Sequence, residues 1–468
     1  MHTFSPSNWL NFEILRILAT TPLAGAETEF LSAISHISTR SATFEPSWRA
    51  AWDAQAARAE KTALRCFEVG NKILARNAFL RAANYVRASG YMLTSPPAQK
   101  EEDKAGAGAG GMKAGRDSAG SGSSRTQHPL ALPIAERAVA LFKRGIKLFD
   151  GQVIVLEIPY PGGVLLPGYL YLPPPWRRIA EATEHSTETE APPARGKIPL
   201  LITCGGADST QEELYTLHPS MATEMGYACL TFDGPGQGLV LRRDNLPLRA
   251  DFEYVLRHVL DFLTRYSSEN PHLMLDLDRV AVSGAALGGY FALRAASDPR
   301  IKACIALDPV YDLFEFGTRH VAPFLLRAWV DGWVGDGVVD FVINLGMRWS
   351  VQMNWEVCTA GTFLGVGSPT GVLKAMKVFT LKEDILKKVT CPTLVSGARN
   401  SLYLDVEGHT GMVWRGLKHL GERRRLWVAE GVEEGSLQAK MGAFSVGNEK
   451  TFAFLDEIFG VRREVLEC

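Results

Sequence analysis

The sequence has almost no net charge, because 50 lysines and arginines are balanced by 51 aspartates and glutamates. A balanced charge excludes the basic surface by which proteins usually bind nucleic acid or acidic membranes, so we expect neither partner. The sequence also has no C-x-x-C pair, and its seven cysteines lie far apart. This spacing favours buried free thiols in a reducing compartment over disulfides, and we expect no metal site.

Long apolar segments without charge are also missing. Glu13 and Arg16 interrupt the apolar stretch near the N-terminus, which predicts an amphipathic helix rather than a signal peptide. The most apolar later stretch, residues 329–349, carries three aspartates and does not predict a membrane span. We therefore expect a soluble, cytoplasmic protein.

The first 150 residues predict a helical domain. Apolar residues recur at helical spacing from residue 8 to residue 95, as Phe12, Leu15 and Leu18 illustrate, and again from 130 to 148. Residues 99–126 are rich in glycine, alanine, serine and lysine. Such a composition buries too little apolar surface to order itself, so we predict a flexible insertion there.

Residues 151–468 predict a second domain of the α/β class. The first two short strands are rich in proline and glycine where they meet, which indicates an antiparallel start to the sheet. Apolar strands then alternate with helices, which predicts a mostly parallel, doubly wound sheet. A second flexible insertion is predicted at 178–196 and a helical insertion at 314–387. The predicted strands are 153–158, 166–172, 198–203, 228–233, 279–283, 301–308, 393–396 and 425–429.

The segment Val280–Ala296 has the layout of a nucleophile elbow, the G-x-S-x-G turn between a strand and a helix in α/β hydrolases. Its glycines allow a sharp turn, and the helix N-terminus favours negative charge. The aligned residues, Gly284-Ala285-Ala286-Leu287-Gly288, place Ala286 where the serine belongs. The pattern therefore predicts the elbow without its nucleophile.

The other two members of a Ser–acid–His triad are also missing from their usual places. The position after the penultimate strand, where the acid is expected, holds Asn400. No histidine follows His419, and Ser436 lies near the histidine position. Three altered positions indicate a coordinated loss of the serine mechanism.

Other polar groups follow the carboxyl ends of the strands, where open parallel sheets bind their ligands. We expect the backbone amides of Gly205, Gly206 and Leu287 to form an oxyanion hole. The candidate general acids and bases are Asp208, Asp308, Tyr311, Asp312 and His320.

Five segments together resemble the α/β hydrolases of fungal secondary metabolism, a group that includes enzymes of fusarin, pigment and cytochalasan pathways. The chain is also similar to the bacterial dihydroxypseudooxynicotine hydrolase. The resemblance spans most of the chain outside the two insertions. The segments that carry it are 75–85, 205–215, 233–238, the elbow and 435–443.

The resemblance implies an α/β-hydrolase fold in which the helical domain 1–150 caps the sheet domain and residues 314–387 form a lid. It implies acyl or carbon–carbon chemistry on a polyketide-like small molecule, without a cofactor. A polyketide synthase hybrid of the same pathway is a candidate partner. Folds of this kind often pair through flat apolar surfaces, so a homodimer is a further expectation.

Three functions are compatible with the residues. The first is an enzyme that keeps the oxyanion hole and catalyses cyclisation, condensation or bond cleavage without a covalent nucleophile. The second is an active serine hydrolase with a relocated triad, built from Ser401 or Ser436 with His409. The third is a non-catalytic pseudo-hydrolase that binds a metabolite or a synthase.

Overall fold

The computed structural model describes residues 3–22, 27–94, 127–179, 196–319 and 321–463. The segments predicted as flexible insertions, 99–126 and 178–196, lie outside these ranges except for residues 178, 179 and 196. His320 lies outside them as well.

The residues before 150 form helices that pack on one another through small side chains. Ala56, Ala59 and Ala63 are fully buried on one long helix, and alanines on the next helix face them, so the two backbones approach closely. Trp48 is also fully buried, and its indole N–H donates to the carbonyl of Ala88 at 2.7 Å. The helices are α1 Asn8–Ala19, α2 Glu27–Ser35, α3 Ser41–Glu68, α4 Lys72–Tyr91 and α5 Ala131–Ile146.

The described part of the later chain forms one eight-stranded sheet in the order β1-β2-β4-β3-β5-β6-β7-β8. The first two strands pair antiparallel with each other and β2 pairs antiparallel with β4, whereas the other neighbours are parallel. The strands are β1 Val153–Tyr160, β2 Val164–Tyr171, β3 Ile198–Cys204, β4 Ala228–Phe232, β5 Leu275–Ala285, β6 Ile301–Leu307, β7 Thr393–Ala398 and β8 Arg424–Ala429. This confirms the predicted α/β-hydrolase fold.

Helices cover both faces of the sheet, which explains why β3 and β4 are buried along their whole length. Outside the lid these helices are α6 Pro219–Glu224, α7 Gly238–Asp244, α8 Phe252–Glu269, α9 Leu287–Ala295, α16 Gly411–Gly416 and α17 Phe444–Phe459. Most strand bounds differ from the prediction by one or two residues. The largest difference is at β5, which begins at Leu275 rather than Arg279. The pattern missed this start because Asp276 and Asp278 interrupt the apolar run.

The chain between β6 and β7 forms the helical insertion over the sheet. Trp355 in this insertion donates its indole N–H to the carbonyl of Tyr91 at 2.9 Å, and its ring packs against Trp9 and Tyr91. The insertion therefore rests on α1 and α4 of the helical part. Its helices are α10 Leu313–Thr318, α11 Pro323–Val330, α12 Asp336–Trp349, α13 Val351–Leu364, α14 Pro369–Met376 and α15 Glu383–Leu386.

The six cysteines in the described ranges are free and buried, which confirms the expectation for them. Their thiol groups lie in apolar surroundings; burial raises the pKa of the Cys229 thiol, for example, to about 12. Within the same ranges, no helix combines the length and the apolar character needed to cross a bilayer.

Candidate functional site

The turn between β5 and α9 has the geometry of a nucleophile elbow. Ala286 at its tip has φ 51° and ψ −114°, a conformation that a residue with a Cβ adopts only under strain. The flanking glycines are required sterically, because a Cβ on Gly284 would lie 2.1 Å from the carbonyl oxygen of Gly288. A Cβ on Gly288 would lie 2.5 Å from the carbonyl oxygen of Cys204. The turn thus retains its strain although alanine stands at the tip.

The loop after β3 lies against this elbow, and Gln237 orients it. The side-chain amide of Gln237 donates to the carbonyls of Gly205 and Gly206, at 2.7 and 3.1 Å. Because a trans peptide holds its C=O and N–H on opposite sides, the N–H groups of Gly206 and Ala207 point away from Gln237. Gly206, Ala207 and Leu287 line the same cavity.

The three residues expected to form an oxyanion hole differ in where they lie. Leu287 opens α9, so its N–H has no partner within the helix. Gly205 does not line the cavity, and its carbonyl is held by Gln237. Gly206, Ala207 and Leu287 are at the cavity wall, and the sequence analysis did not single out Gln237, which bonds the loop carbonyls.

The cavity has a volume of about 270 Å³ and lies between the sheet, α1 and the helical insertion. Its wall is largely apolar, which suits the carbon skeleton of a small molecule. Ala286 lies in this wall. The apolar side chains that line it include Phe12, Leu214, Leu217, Val310, Leu313, Phe316, Ile343, Trp355, Phe363, Leu373, Met376 and Phe444, and the charged ones are Glu13, Arg16, Asp208, Glu213 and Glu356.

Arg16 joins α1 to the loop after β3. Its guanidinium donates to both carboxylate oxygens of Glu213, at 2.6 and 2.9 Å, and to Asp208 at 2.5 Å. The Tyr91 hydroxyl also donates to Asp208, at 2.8 Å. Burial opposes the charged form of Asp208 and Glu213, but Arg16 outweighs it and lowers the pKa of both carboxyls. Asp208 is thus fixed as a carboxylate, which does not suit the acid/base role expected for it.

Glu13 is the carboxyl group in this wall whose environment suits proton transfer. It lies one turn from Arg16 on α1 and is buried, and its Oε2 has no hydrogen-bond partner. The closest Arg16 nitrogen is 3.9 Å from that oxygen. Burial raises the pKa of Glu13 to about 7, with Arg16 opposing the shift and Asp208 adding to it. A carboxyl with this pKa both accepts and releases a proton near neutral pH.

The positions expected for the acid and the histidine contact each other but not the cavity. The Asn400 amide donates to Ser436 Oγ at 2.8 Å, and Ser436 is fully buried. Gln438 and Ala439 are the residues of the loop after β8 that line the cavity. Ser401 donates to Gln438 at 2.9 Å.

Asp308 does not line the cavity either. It follows β6 and forms a buried ion pair with Lys440, at 2.8 Å. Ser396 Oγ donates to the same carboxylate oxygen, also at 2.8 Å. Lys440 in addition donates to the carbonyl of Gly397 at 3.0 Å and lies over the ring of Trp427. This arrangement holds the loop after β8 in place.

Tyr311 and Asp312 are likewise absent from the cavity wall. Asp312 caps α10, because its carboxylate accepts the N–H groups of Phe314 and Glu315. The backbone N–H of Tyr311 donates to His409 Nδ1 at 3.1 Å. His409 is buried, its pKa is lowered by that burial, and it too is absent from the wall.

A serine–histidine contact does occur elsewhere. His218 Nε2 lies 2.8 Å from Ser283 Oγ, and His218 Nδ1 lies 2.9 Å from Asn448 Oδ1. All three residues are buried, and none lines the cavity. Burial lowers the pKa of His218 to about 4. This chain of contacts therefore links α6, β5 and α17 as a structural element.

One feature of the sequence points to Glu13, which is a carboxylate inside an apolar helical stretch. Burying a carboxylate costs free energy, so its presence there indicates a functional role. The same residue, with Arg16, also argues against a signal peptide. Gln237 lies in the segment 233–238, which reads as a turn, and nothing in a turn pattern indicates which carbonyls its side chain reaches.

Known proteins match this chain in sequence and in fold. A model of FrsA-like esterases matches residues 134–323. The hydrolyase ccsE of Aspergillus clavatus is 46% identical over 99% of this chain and 99% of its own length. The hydrolase phmG of Phaeosphaeria nodorum is 44% identical over 100% of this chain and 98% of its own. The crystal structure of 2,6-dihydroxy-pseudo-oxynicotine hydrolase has a TM-score of 0.62 at 18% identity, covering 97% and 95% of the two chains.

Proposed function

This chain belongs to the fungal secondary-metabolism α/β-hydrolase family, and we propose that its cavity catalyses carbonyl chemistry on a polyketide-like molecule without a serine nucleophile. The observation that carries the proposal is the pairing of an elbow without a hydroxyl and a buried carboxyl of pKa about 7 in one cavity. An oxyanion hole needs only correctly placed donors, so it remains useful after the nucleophile is lost.

The reaction that fits these groups is an aldol-type or Knoevenagel-type ring closure. Glu13 as a carboxylate takes a proton from the carbon next to a carbonyl, and the negative charge moves to the carbonyl oxygen. The N–H groups of Gly206, Ala207 and Leu287 stabilise that oxygen. The enolate carbon then forms a bond with a second carbonyl carbon, and Glu13 returns its proton to the new alkoxide. Loss of water completes a condensation.

The apolar wall and the ion pairs have separate tasks in this proposal. The apolar side chains bind the carbon skeleton and keep its two carbonyl groups close together. Arg16, Asp208 and Tyr91 hold the turn of α1 on which Glu13 lies, and Asp208 helps to keep the pKa of Glu13 high. A reactive substrate that closes slowly on its own needs little further help.

The test uses a linear polyketide–amino-acid aldehyde or ketone and follows its cyclised product by liquid chromatography and mass spectrometry. We expect the protein to accelerate ring closure. The Glu13→Gln variant should catalyse it about 10²–10⁴-fold more slowly. Glu29→Gln is a matched control, because Glu29 is a largely buried glutamate of the helical part that pairs with Arg81, away from the cavity.

Equal rates with wild type, Glu13→Gln and buffer would overturn the proposal. Binding without turnover would then favour a pseudo-hydrolase. Labelling of the wild-type protein by a fluorophosphonate would instead favour a relocated serine nucleophile.

A further inference from the structure

The outer face of α12 is apolar along its whole length. Phe341 and Trp349 are 69% and 84% exposed, and Val338, Val342 and Leu345 on the same stripe are exposed as well. The opposite face is also apolar, because Val339 and Ile343 are buried and Ile343 lines the cavity. Apolar residues on both faces are typical of a helix that is buried on both faces.

Neighbouring residues enlarge this apolar surface. Phe324 and Val330 on α11 and Trp333 after it are exposed, and α11 is tied to α12 by the Trp329 indole, which donates to Asp336 at 2.9 Å. Four large aromatic side chains of α11, α12 and their connection are therefore at least 69% exposed. Since an aromatic side chain buries roughly 150–250 Å² in a contact, these residues offer roughly 800 Å² together with their aliphatic neighbours. That is about the area per partner in a standard stable interface.

We propose that a second copy of this chain covers this surface, with the two α12 helices packed antiparallel about a twofold axis. An isologous contact needs a surface that complements itself, and a continuous apolar stripe on a straight helix does so. The stripe spans nearly the whole helix, from Val338 to Trp349, so each copy meets the other along most of its length.

The charges near this surface do not favour an anionic membrane. The exposed charged side chains of α11, α12 and their connection include Arg327 and Arg348 but also Asp331 and Asp336. Helices that lie on anionic membranes carry an excess of lysine and arginine on their polar face. A second copy of the chain supplies an apolar surface and does not require an excess of lysine and arginine. It would also stabilise the position of the lid helix that carries Ile343.

Sedimentation velocity at micromolar concentration tests the proposal with the full chain. We expect wild type to be dimeric, and Phe341→Glu and Trp349→Glu to weaken association by about 100-fold or more, because each buries a charge in the contact. Circular dichroism spectra should be unchanged for both variants. Trp176→Glu is the matched control, because Trp176 is an exposed tryptophan outside the lid, 67% accessible. It should remain dimeric.

A second measurement does not depend on disrupting the surface. Val342 lies at the midpoint of α12, where two antiparallel helices meet their own copies. Val342→Cys should therefore form a disulfide-linked dimer on mild oxidation, and Trp176→Cys should not. A monomeric wild type, dimeric Phe341→Glu and Trp349→Glu variants, or a wild-type monomer that sediments with phosphatidylcholine vesicles would each overturn the proposal.

Discussion

Glu13 is the residue whose surroundings conflict most with its chemistry. A buried carboxylate loses its hydration, and the Oε2 of Glu13 gains no hydrogen bond in return. The cation at 3.9 Å recovers only part of that loss. Such a group reduces the stability of the fold, and residues of this kind are commonly retained where they serve catalysis.

Glu13→Gln should therefore stabilise the protein at high pH. The pKa of Glu13 is raised from 4.5 in the unfolded chain to about 7 in the folded one, so the folded state binds this proton more tightly. Stability is then lost as pH rises from 4.5 to 7, by on the order of 3 kcal/mol, and the loss is constant above 7. Urea unfolding should show the variant more stable above pH 7 and nearly equal to wild type at pH 4.5.

The same variant separates function from stability. It should be the slower enzyme in the cyclisation assay although it is the more stable protein, as expected for a strained active-site group. A stability difference that is the same at both ends of the pH range would show that the carboxyl does not titrate in this window.

Ala286→Ser should not create a serine hydrolase. A serine hydroxyl needs an adjacent base, and among the described residues no histidine lines the cavity. The hydroxyl would occupy the strained tip of the elbow without the imidazole that takes the serine proton in a Ser–His–acid triad. We expect neither fluorophosphonate labelling nor hydrolysis of nitrophenyl esters above background, and labelling of this variant would mean that a base reaches the elbow.

At the scale of elements, the strands and the elbow were predictable and the loops were not. Buried parallel strands are continuous apolar runs, and the glycines of the elbow are sterically required, so both leave a direct pattern. The loop after β8 leaves none, because its course depends on Gly435, Ala439 and Lys440 in the left-handed region. This path places Gln438 and Ala439 at the cavity wall and buries Ser436. No periodic pattern in the sequence predicts it.

Lys440→Met tests what holds this loop. The substitution leaves the Asp308 carboxylate buried without its cation, and breaking a buried ion pair in this way costs about 3–5 kcal/mol. We expect a loss of that order in the free energy of unfolding measured in urea. The double variant Lys440→Met/Asp308→Asn should recover most of it, because no charge is then left buried. Additive losses would show that the two residues act independently.

Gln237→Glu tests the loop that carries the oxyanion-binding amides. The variant keeps an oxygen that accepts the Gly234 N–H, at 2.8 Å in the wild type, but it has no N–H for the carbonyls of Gly205 and Gly206. Repulsion between the carboxylate and these carbonyls should turn the loop. Since loss of one oxyanion donor typically costs about 10²–10³ in kcat, we expect a fall of this order with KM nearly unchanged. A rise in KM alone would mean that the loop serves binding only.

At the scale of the whole molecule, one arginine connects the helical part to the sheet. Arg16 meets Asp208 and Glu213, which lie 192 and 197 residues further along the chain. The resemblance implied that the helical domain caps the sheet, and the charges on α1 were visible in the sequence. Their partners were not predictable, because a pairing over this separation depends on how the two parts dock and leaves no periodic signal.

Arg16→Met should loosen this docking in a pH-dependent way. The variant leaves Glu213 buried with Arg87 as its remaining cation, at 3.4 Å, and we expect a loss of about 3 kcal/mol at neutral pH. Arg16 lowers the pKa of Glu213 and Asp208, so its stabilising effect is present above their ordinary pKa values, 4.5 and 3.8, and is lost as pH falls through the lowered ones.

The difference between wild type and Arg16→Met should therefore shrink on acidification, because both carboxyls become neutral and no longer need a cation. Urea unfolding at neutral pH and below pH 3.8 measures the two differences, and hydrogen exchange of α1 reports whether the helical part opens first. Arg137→Met is the control, since Arg137 pairs with Glu60 and Asp53 on the surface of the helical part and such exposed pairs contribute little. A pH-independent difference would mean that Arg16 acts through packing of its side chain rather than through its charge.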